Sequence, residues 1–243
     1  MVIFDVNLSL GRWPFRPSSA ETMPELSKLL HKHGITGGLV RSAEAPFSAD
    51  PEEENRRLAE RCAAVPGFIP LPAVHPAYDF RQRGHFAAAA LYPSFHGYRL
   101  TSRPALTMAR SLAAAGTLLV LVMREEDERG QHPLCKVKPH PAAEVASFAA
   151  LLPEAKILVL NAYWVEVTSW REPNLHSDCA MVEAFPALRE VPPERLVFGS
   201  HSPFLCTGAA IAKVNRADFP LRERQAIWGT RGKALLNEAI RVP

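Results

Sequence analysis

The chain has 243 residues, 47% of them hydrophobic and 22% charged, with a formal net charge of +3. That excludes a disordered or low-complexity chain, and acids interspersed with arginines and lysines leave no basic stripe for nucleic acid. Four scattered cysteines (Cys62, Cys135, Cys179, Cys206) form no CxxC, MVIFDVNLSL lacks the basic flank of an export signal, and no apolar run reaches the roughly 18 residues of a membrane span, so reduced thiols and a cytoplasmic protein are expected.

Short β-branched apolar runs recur along the chain and alternate with helical patterns. Val2–Val6 reads as a buried first strand, followed by a helix over Met23–His33 and a second strand at Gly37–Val40. Pro51–Ala64 predicts an amphipathic helix with Asp50 as N-cap, and Phe68–Val74 a third strand made irregular by Pro70 and Pro72. Ala87–Tyr92 is strand four, Pro104–Ala115 a helix, and Thr117–Met123 strand five, the clearest of all. A helix at Pro141–Leu152 precedes strand six at Ile157–Leu160, and Asn174–Cys179 and Arg195–Phe198 complete the set of eight. Helices over Gly208–Val214, Leu221–Trp228 and Thr230–Ile240 end the chain. Eight alternations in this length predict a single (β/α)8 TIM barrel spanning 1–243, since an open doubly wound sheet would carry a glycine-rich turn after strand one, where LSLGRWPFR has one glycine.

In such barrels the polar residues at the C-terminal strand ends carry function. Strand one ends Asp5-Val6-Asn7, and alternation points Asp5 and Asn7 to the same side, toward the axis. Tyr92, His96 and Tyr98 follow strand four, Asn161 ends strand six, His176 and Asp178 lie on strand seven, and His201 follows strand eight in GSHSPF. The REEDER run after strand five reads as a solvated loop apart from Arg124, which is placed to clamp a carboxylate through two parallel hydrogen bonds. His132, ahead of a proline, lies on an extended loop able to fold over the mouth. His31, His33 and His85 read as surface residues.

DVNLSLGRWPFR, LYPSFHGY, REEDERGQHPL and the closing FGSHSPF and IWGTRGKALL segments together resemble the amidohydrolase-related branch of the amidohydrolase superfamily, metal-dependent hydrolases and decarboxylases on a (β/α)8 barrel. The resemblance spans nearly the whole chain, and the expected metal ligands are substituted. The family's strand-one His-x-His corresponds to Asp5 and Asn7, its strand-five histidine falls near Met123 or Arg124, its strand-six histidine is Asn161, its strand-eight aspartate is His201, and its closing asparagine is Thr230.

The resemblance implies a hydrolase or decarboxylase acting on a small carboxylate. Catalysis is then assigned to His201, Asp5 and His132, and substrate binding to Arg124, Asn161, Asn7 and His96. Two cofactor readings stand open: one divalent metal (Zn, Mn or Fe) held by Asp5 and His201, or none, with His201 as a metal-free general base. The alternative function is a catalytically reduced barrel that binds a small molecule or serves as an assembly subunit. The partner expected is a small molecule, with neither nucleic acid nor membrane, and a homo-oligomer fits a soluble barrel.

Overall fold

The computed structural model describes residues 3–48, 51–78, 86–183 and 185–240, so Val2, Asp50 and His85 lie outside the described residues. The strands are β1 (Ile3–Leu10), β2 (Ile35–Ser42), β3 (Phe68–Pro70), β4 (Ala73–Val74), β5 (Ala88–Leu91), β6 (Leu118–Val122), β7 (Ile157–Leu160), β8 (Leu175–Asp178) and β9 (Leu196–Val197). Between and after them run α1 (Met23–His31), α2 (Pro51–Ala63), α3 (Pro93–His96), α4 (Arg103–Ala114), α5 (Ala142–Ala150), α6 (Trp164–Ser169), α7 (Phe185–Glu190), α8 (Thr207–Arg216), α9 (Leu221–Gln225) and α10 (Arg231–Ile240). The short helices α3, α6 and α7 are additions to the sequence-based expectation.

All pairings between these strands are parallel, in the orders β1-β2-β3 and β4-β5-β6-β7-β8-β9. β3 and β4 are two pieces of one barrel strand, interrupted at Leu71-Pro72, where proline offers no N–H to the ladder. Backbone bonds carry the wall across this break, Leu71 N donating to Val40 O at 2.7 Å and Ala90 N to Pro72 O at 2.7 Å. The first and last strands also meet, through Val6 N to Phe198 O at 3.0 Å and Ser9 N to Ser202 O at 2.8 Å. Eight wall positions follow in a ring, the arrangement of a (β/α)8 barrel.

Alternation along the strands builds two apolar layers. Val6, Ala73, Ala90, Val120, Leu158 and Val197 pack inside the wall. Leu8, Ala89, Leu119, Leu121 and Val159 face outward, against Leu26 and Leu30 of α1 and Phe148 of α5. α1 starts at a capping box in which Thr22 accepts from Glu25 N and the Glu25 carboxylate accepts from Thr22 N, so orphan N–H groups at its first turn are met reciprocally. Leu235 and Leu236 of α10 join the inner layer beside Phe4 and Leu118, residues at the starts of their strands. α10 therefore lies under the N-terminal end of the ring, and the polar strand ends are gathered at the other. A π-helical turn at Ala226–Thr230 joins α9 to α10, so the two expected helices form one continuous run.

β1 runs three residues beyond Asn7, to Leu10, and is buried along its whole length, with Ser9 N bonded to Ser202 O. Its register slips between Asp5 and Leu8, which pair with Gly38 and Val40. One extra residue is thus inserted on β1, as in a β-bulge, and it breaks the alternation expected to aim Asp5 and Asn7 the same way. Phe4 and Val6 join the inner layer, and Leu8 the outer one.

Candidate active site at the barrel mouth

Asn7, Arg41, Glu125, Asn161, Asp178 and His201 meet at the C-terminal ends of the strands, each buried to 1% exposure or less. The guanidinium of Arg41, from the end of β2, is the hub. Its Nε and Nη2 donate to Asn7 Oδ1 at 3.4 and 3.3 Å, its Nη2 contacts His201 Nδ1 at 3.0 Å, and its Nη1 donates to both carboxylate oxygens of Glu125. Asn7 is fixed in turn, donating to Asn161 Oδ1 at 2.7 Å and Asp178 Oδ2 at 2.5 Å. Asn161 donates to Arg124 O at 2.7 Å through its side chain and to Asp178 Oδ1 at 3.0 Å through its backbone. Asn161 and His201 sit at φ of 62° and 56°, left-handed backbone that asparagine tolerates and histidine adopts less readily.

These contacts decide the state of His201. A guanidinium has donors and no acceptor, so Nδ1 must accept from Arg41. The ring proton is then on Nε2, which donates to Glu125 O at 2.8 Å. Burial, reinforced by the positive charge of Arg41, holds the His201 pKa well below 6.5. Its basic lone pair is already engaged, so His201 holds a position here and has no free nitrogen to accept a proton or bind a metal.

Asp5 lies beside this hub. Its Oδ1 accepts from Asn7 N at 2.9 Å and Ser200 N at 3.1 Å, while Oδ2 is buried without a well-formed hydrogen bond. Burial, only partly offset by the nearby Ser200 hydroxyl and those backbone hydrogen bonds and added to by the charge of Asp178, pushes the Asp5 carboxyl up to about 7. Asp178 is raised to about 6, chiefly by burial, with hydrogen bonds from Asn7 and Asn161 working against the rise.

Arg124 forms the fork expected of it, but on a partner within the chain. Nη1 reaches Glu166 Oε2 at 2.8 Å and Nη2 reaches Oε1 at 2.6 Å, with Asn161 O and Glu128 completing the set and the Tyr163 ring 4.0 Å from the guanidinium carbon. The inward position after β6 belongs to the next residue, Glu125, so the charge run is not wholly solvated. His132 stays outside: it is exposed, stacks on Phe15 with centroids 5.3 Å apart, and accepts from Leu134 N at 3.2 Å.

His96 lies on the strand-four side of the mouth, next to Tyr92, His75 and Tyr98. Both its ring nitrogens, and the hydroxyls of Tyr92 and Tyr98, are buried without a well-formed hydrogen bond. Burial, with His75 adding to the effect, lowers the His96 pKa to about 4, so the ring is neutral near neutral pH. The hub residue Arg41 and the neighbouring His75 escaped the sequence reading. Both stand just at or beyond the ends of their strands, and the same strand-end rule points to them once β2 and β4 are included.

An aromatic cover lies above the hub. Trp13 packs edge-on against Phe204 at 5.1 Å and tilted against Phe47 at 5.2 Å, Phe47 meets Phe95 at 5.7 Å, and Phe204 stacks on the His201 ring at 5.0 Å. Outside it, Arg12, Trp13, Phe15, Arg16, Glu21 and Glu44 line an open cleft of about 750 Å³.

The donor chemistry of the mouth does not suit a divalent cation. Asn7 and Asn161 offer neutral amides already paired, both nitrogens of His201 are used, and a fixed guanidinium would repel a second cation beside it. Among the described residues no three His, Cys, Asp or Glu side chains group closely enough to hold a metal. The expected pair Asp5 and His201 do not form a ligand set, because His201 is turned to Arg41 and Glu125.

No protein-family model matches the chain, and no curated protein matches it. Among solved structures it is similar to an uncharacterised TIM-barrel protein from Bordetella bronchiseptica, with 13% identity and a TM-score of 0.72 over 99% of this chain and 100% of that one. It is also similar to a dihydroxybenzoic acid decarboxylase from Polaromonas sp. JS666 with bound manganese and the inhibitor 2-nitroresorcinol, with 14% identity and a TM-score of 0.71 over 97% and 96% of the two chains. An amidohydrolase 2 from Bifidobacterium longum subsp. infantis matches with 15% identity and a TM-score of 0.65 over 98% and 99%. No described helix is long and apolar enough to cross a membrane. The likeness is one of fold over almost the full length: the chain has the (β/α)8 barrel that the resemblance to amidohydrolase-related proteins implies.

Proposed function

We propose that the chain is a hydrolase- or decarboxylase-type barrel acting on a small carboxylate-bearing molecule at the C-terminal mouth, independently of a divalent metal. One observation carries this reading: the Arg41 guanidinium is buried where the ends of β1, β2, β6 and β9 converge, a permanent cation at the place from which a barrel acts. A cation so placed suits a carboxylate, and the barrels of similar fold include a dihydroxybenzoic acid decarboxylase. Asn7 and His201 are assigned to orienting Arg41, with Asp5 and Asn161 holding the frame. Arg124 is assigned to the wall through Glu166, and His96 to the uncharged side of the pocket.

The second reading, a catalytically reduced barrel that binds a small molecule or serves an assembly, is favoured by the mutual satisfaction of the hub, whose strand-end side chains are largely partnered within the chain. Incubating purified protein with a panel of aromatic and aliphatic carboxylates and amides, with EDTA or with manganese, and following substrate loss by chromatography separates the two. Turnover that survives EDTA and is lost in Arg41→Met is the expected result. Binding without turnover across the panel selects the reduced barrel. Stoichiometric manganese on which turnover depends overturns metal independence.

A further inference from the structure

Arg41 spends its five N–H groups unevenly. Nε and Nη2 face Asn7 and His201, and both acceptors are locked by bonds of their own, Asn7 to Asn161 and Asp178 and His201 to the Glu125 carbonyl. Nη1 donates to the Glu125 carboxylate, and both oxygens converge on that single nitrogen. This is not the two-nitrogen fork that Arg124 makes with Glu166. Among the described residues the Glu125 carboxylate has no other hydrogen bond, so it is the one Arg41 partner that side-chain rotation can remove.

The space beside it has unmet hydrogen-bonding capacity. The Tyr92 hydroxyl feels the charges of both Arg41 and Glu125 and lies at the edge of hydrogen-bonding reach of the Arg41 guanidinium, and beside it His96 and the Tyr98 hydroxyl are buried without a well-formed hydrogen bond. Tyr92 and His96 rings are 5.6 Å apart, and His96 and Tyr98 rings 6.4 Å. Buried polar groups are nearly always satisfied in folded proteins, so several orphans in one place, next to a cation, mark where an oxygen-bearing molecule fits.

We propose that Nη1 of Arg41 is the anchor for a ligand carboxylate, that Glu125 is the internal carboxylate that occupies this anchor until the ligand displaces it, and that Tyr92, His96 and Tyr98 receive an uncharged hydroxyl or carbonyl oxygen of the same ligand. This rests on the small-carboxylate reading of the mouth and adds the residue for which the ligand competes. No bond is made or broken; one carboxylate exchanges for another on a fixed guanidinium, and Glu125 turns toward solvent.

Salicylate, which carries a carboxylate and a hydroxyl, is the probe, and salicylamide its uncharged control, both titrated calorimetrically. Glu125→Gln keeps size and removes the competing charge, so it is expected to bind salicylate at least about tenfold more tightly than the wild type, with salicylamide unchanged. Arg41→Met is expected to bind neither. Equal salicylate affinity in wild type and Glu125→Gln, or an equal gain for salicylamide, overturns the proposal. Should Glu125→Gln not fold, a crystal structure of the wild type with salicylate decides it: Glu125 turned away with the ligand carboxylate on Nη1 supports the exchange, and Glu125 unmoved overturns it. Turnover of another carboxylate in the panel with Glu125 still on Arg41 leaves the functional reading standing and removes the exchange alone.

Discussion

Arg41 and Arg124, both buried at the mouth, each pair with a glutamate. The Arg41–Glu125 pair is sealed, with both side chains at 0% exposure, whereas Arg124 at 1% meets Glu166 at 15% and Glu128 at 37%. The outer pair has fork geometry, a second carboxylate and an aromatic ring beneath it, features of a joint between the end of β6 and the start of α6. The inner pair has poorer geometry and fixed neutral neighbours. Desolvation of two charges is repaid only by good geometry, so a sealed pair with one nitrogen facing two oxygens is a poor stabilising device and better suited to recognition.

Breaking the two pairs tests that contrast most strongly. Arg41→Met leaves the Glu125 carboxylate buried and is expected to destabilise by about 3–5 kcal/mol in urea denaturation. Asp5→Asn works in the other direction in the same inner region. The Asp5 carboxyl titrates near 7 when folded and near 3.8 when unfolded, so between those values the folded chain holds the extra proton and stability falls as pH rises. Above about pH 7 the penalty is fully present, and Asp5→Asn is expected to be more stable than wild type by on the order of 3 kcal/mol at pH 8, the gain vanishing toward pH 4. A gain independent of pH would show that Asp5 is not the group responsible. Arg124→Met, whose orphaned carboxylates regain water, is expected to cost about 1–3 kcal/mol. Equal costs for Arg41→Met and Arg124→Met would erase the distinction.

The smallest expected effect comes from the solvated part of the same loop. Asp127 is lowered to about 2, first by its hydrogen bonds with Arg129, and that stabilisation is present above the unfolded value and lost as pH falls through the folded one. Because Arg129 is 84% exposed, Asp127→Asn is expected to cost less than about 1 kcal/mol at pH 7. A larger loss would place the outer loop among the structural supports of the mouth.

The barrel was legible because its signals are local: TLLVLVM can only be a buried strand, and the spacing of such runs gives the alternation. The strand-end rule likewise brings Asn7, Asn161, Asp178 and His201 to one place. What it left out was the hub: the second strand reads only as far as Val40, so Arg41 at the end of β2 is not considered, and its burial depends on Glu125, a partner 84 positions away. The bulge in β1 is equally invisible to a period-two reading, and it shifts the register between Asp5 and Leu8. Arg124 and Glu125 show the same limit: alternation ends with the strand, and one residue decides which side chain enters the mouth. The Leu71-Pro72 break was foreshadowed by its prolines, whereas α3, α6 and α7 are too short to leave a periodic trace.

The fixed tautomer of His201 makes the molecule its own reporter. Its Nε2 proton is directed at the Glu125 carbonyl and roofed by Phe204, so it is screened from exchange with water. A slowly exchanging imidazole proton is therefore expected in the NMR spectrum at neutral pH, a single resonance belonging to the residue that touches both Arg41 and the backbone of Glu125. Any occupant of the mouth that moves Glu125 will shift or broaden it, so ligands can be screened on unlabelled protein without knowing the reaction.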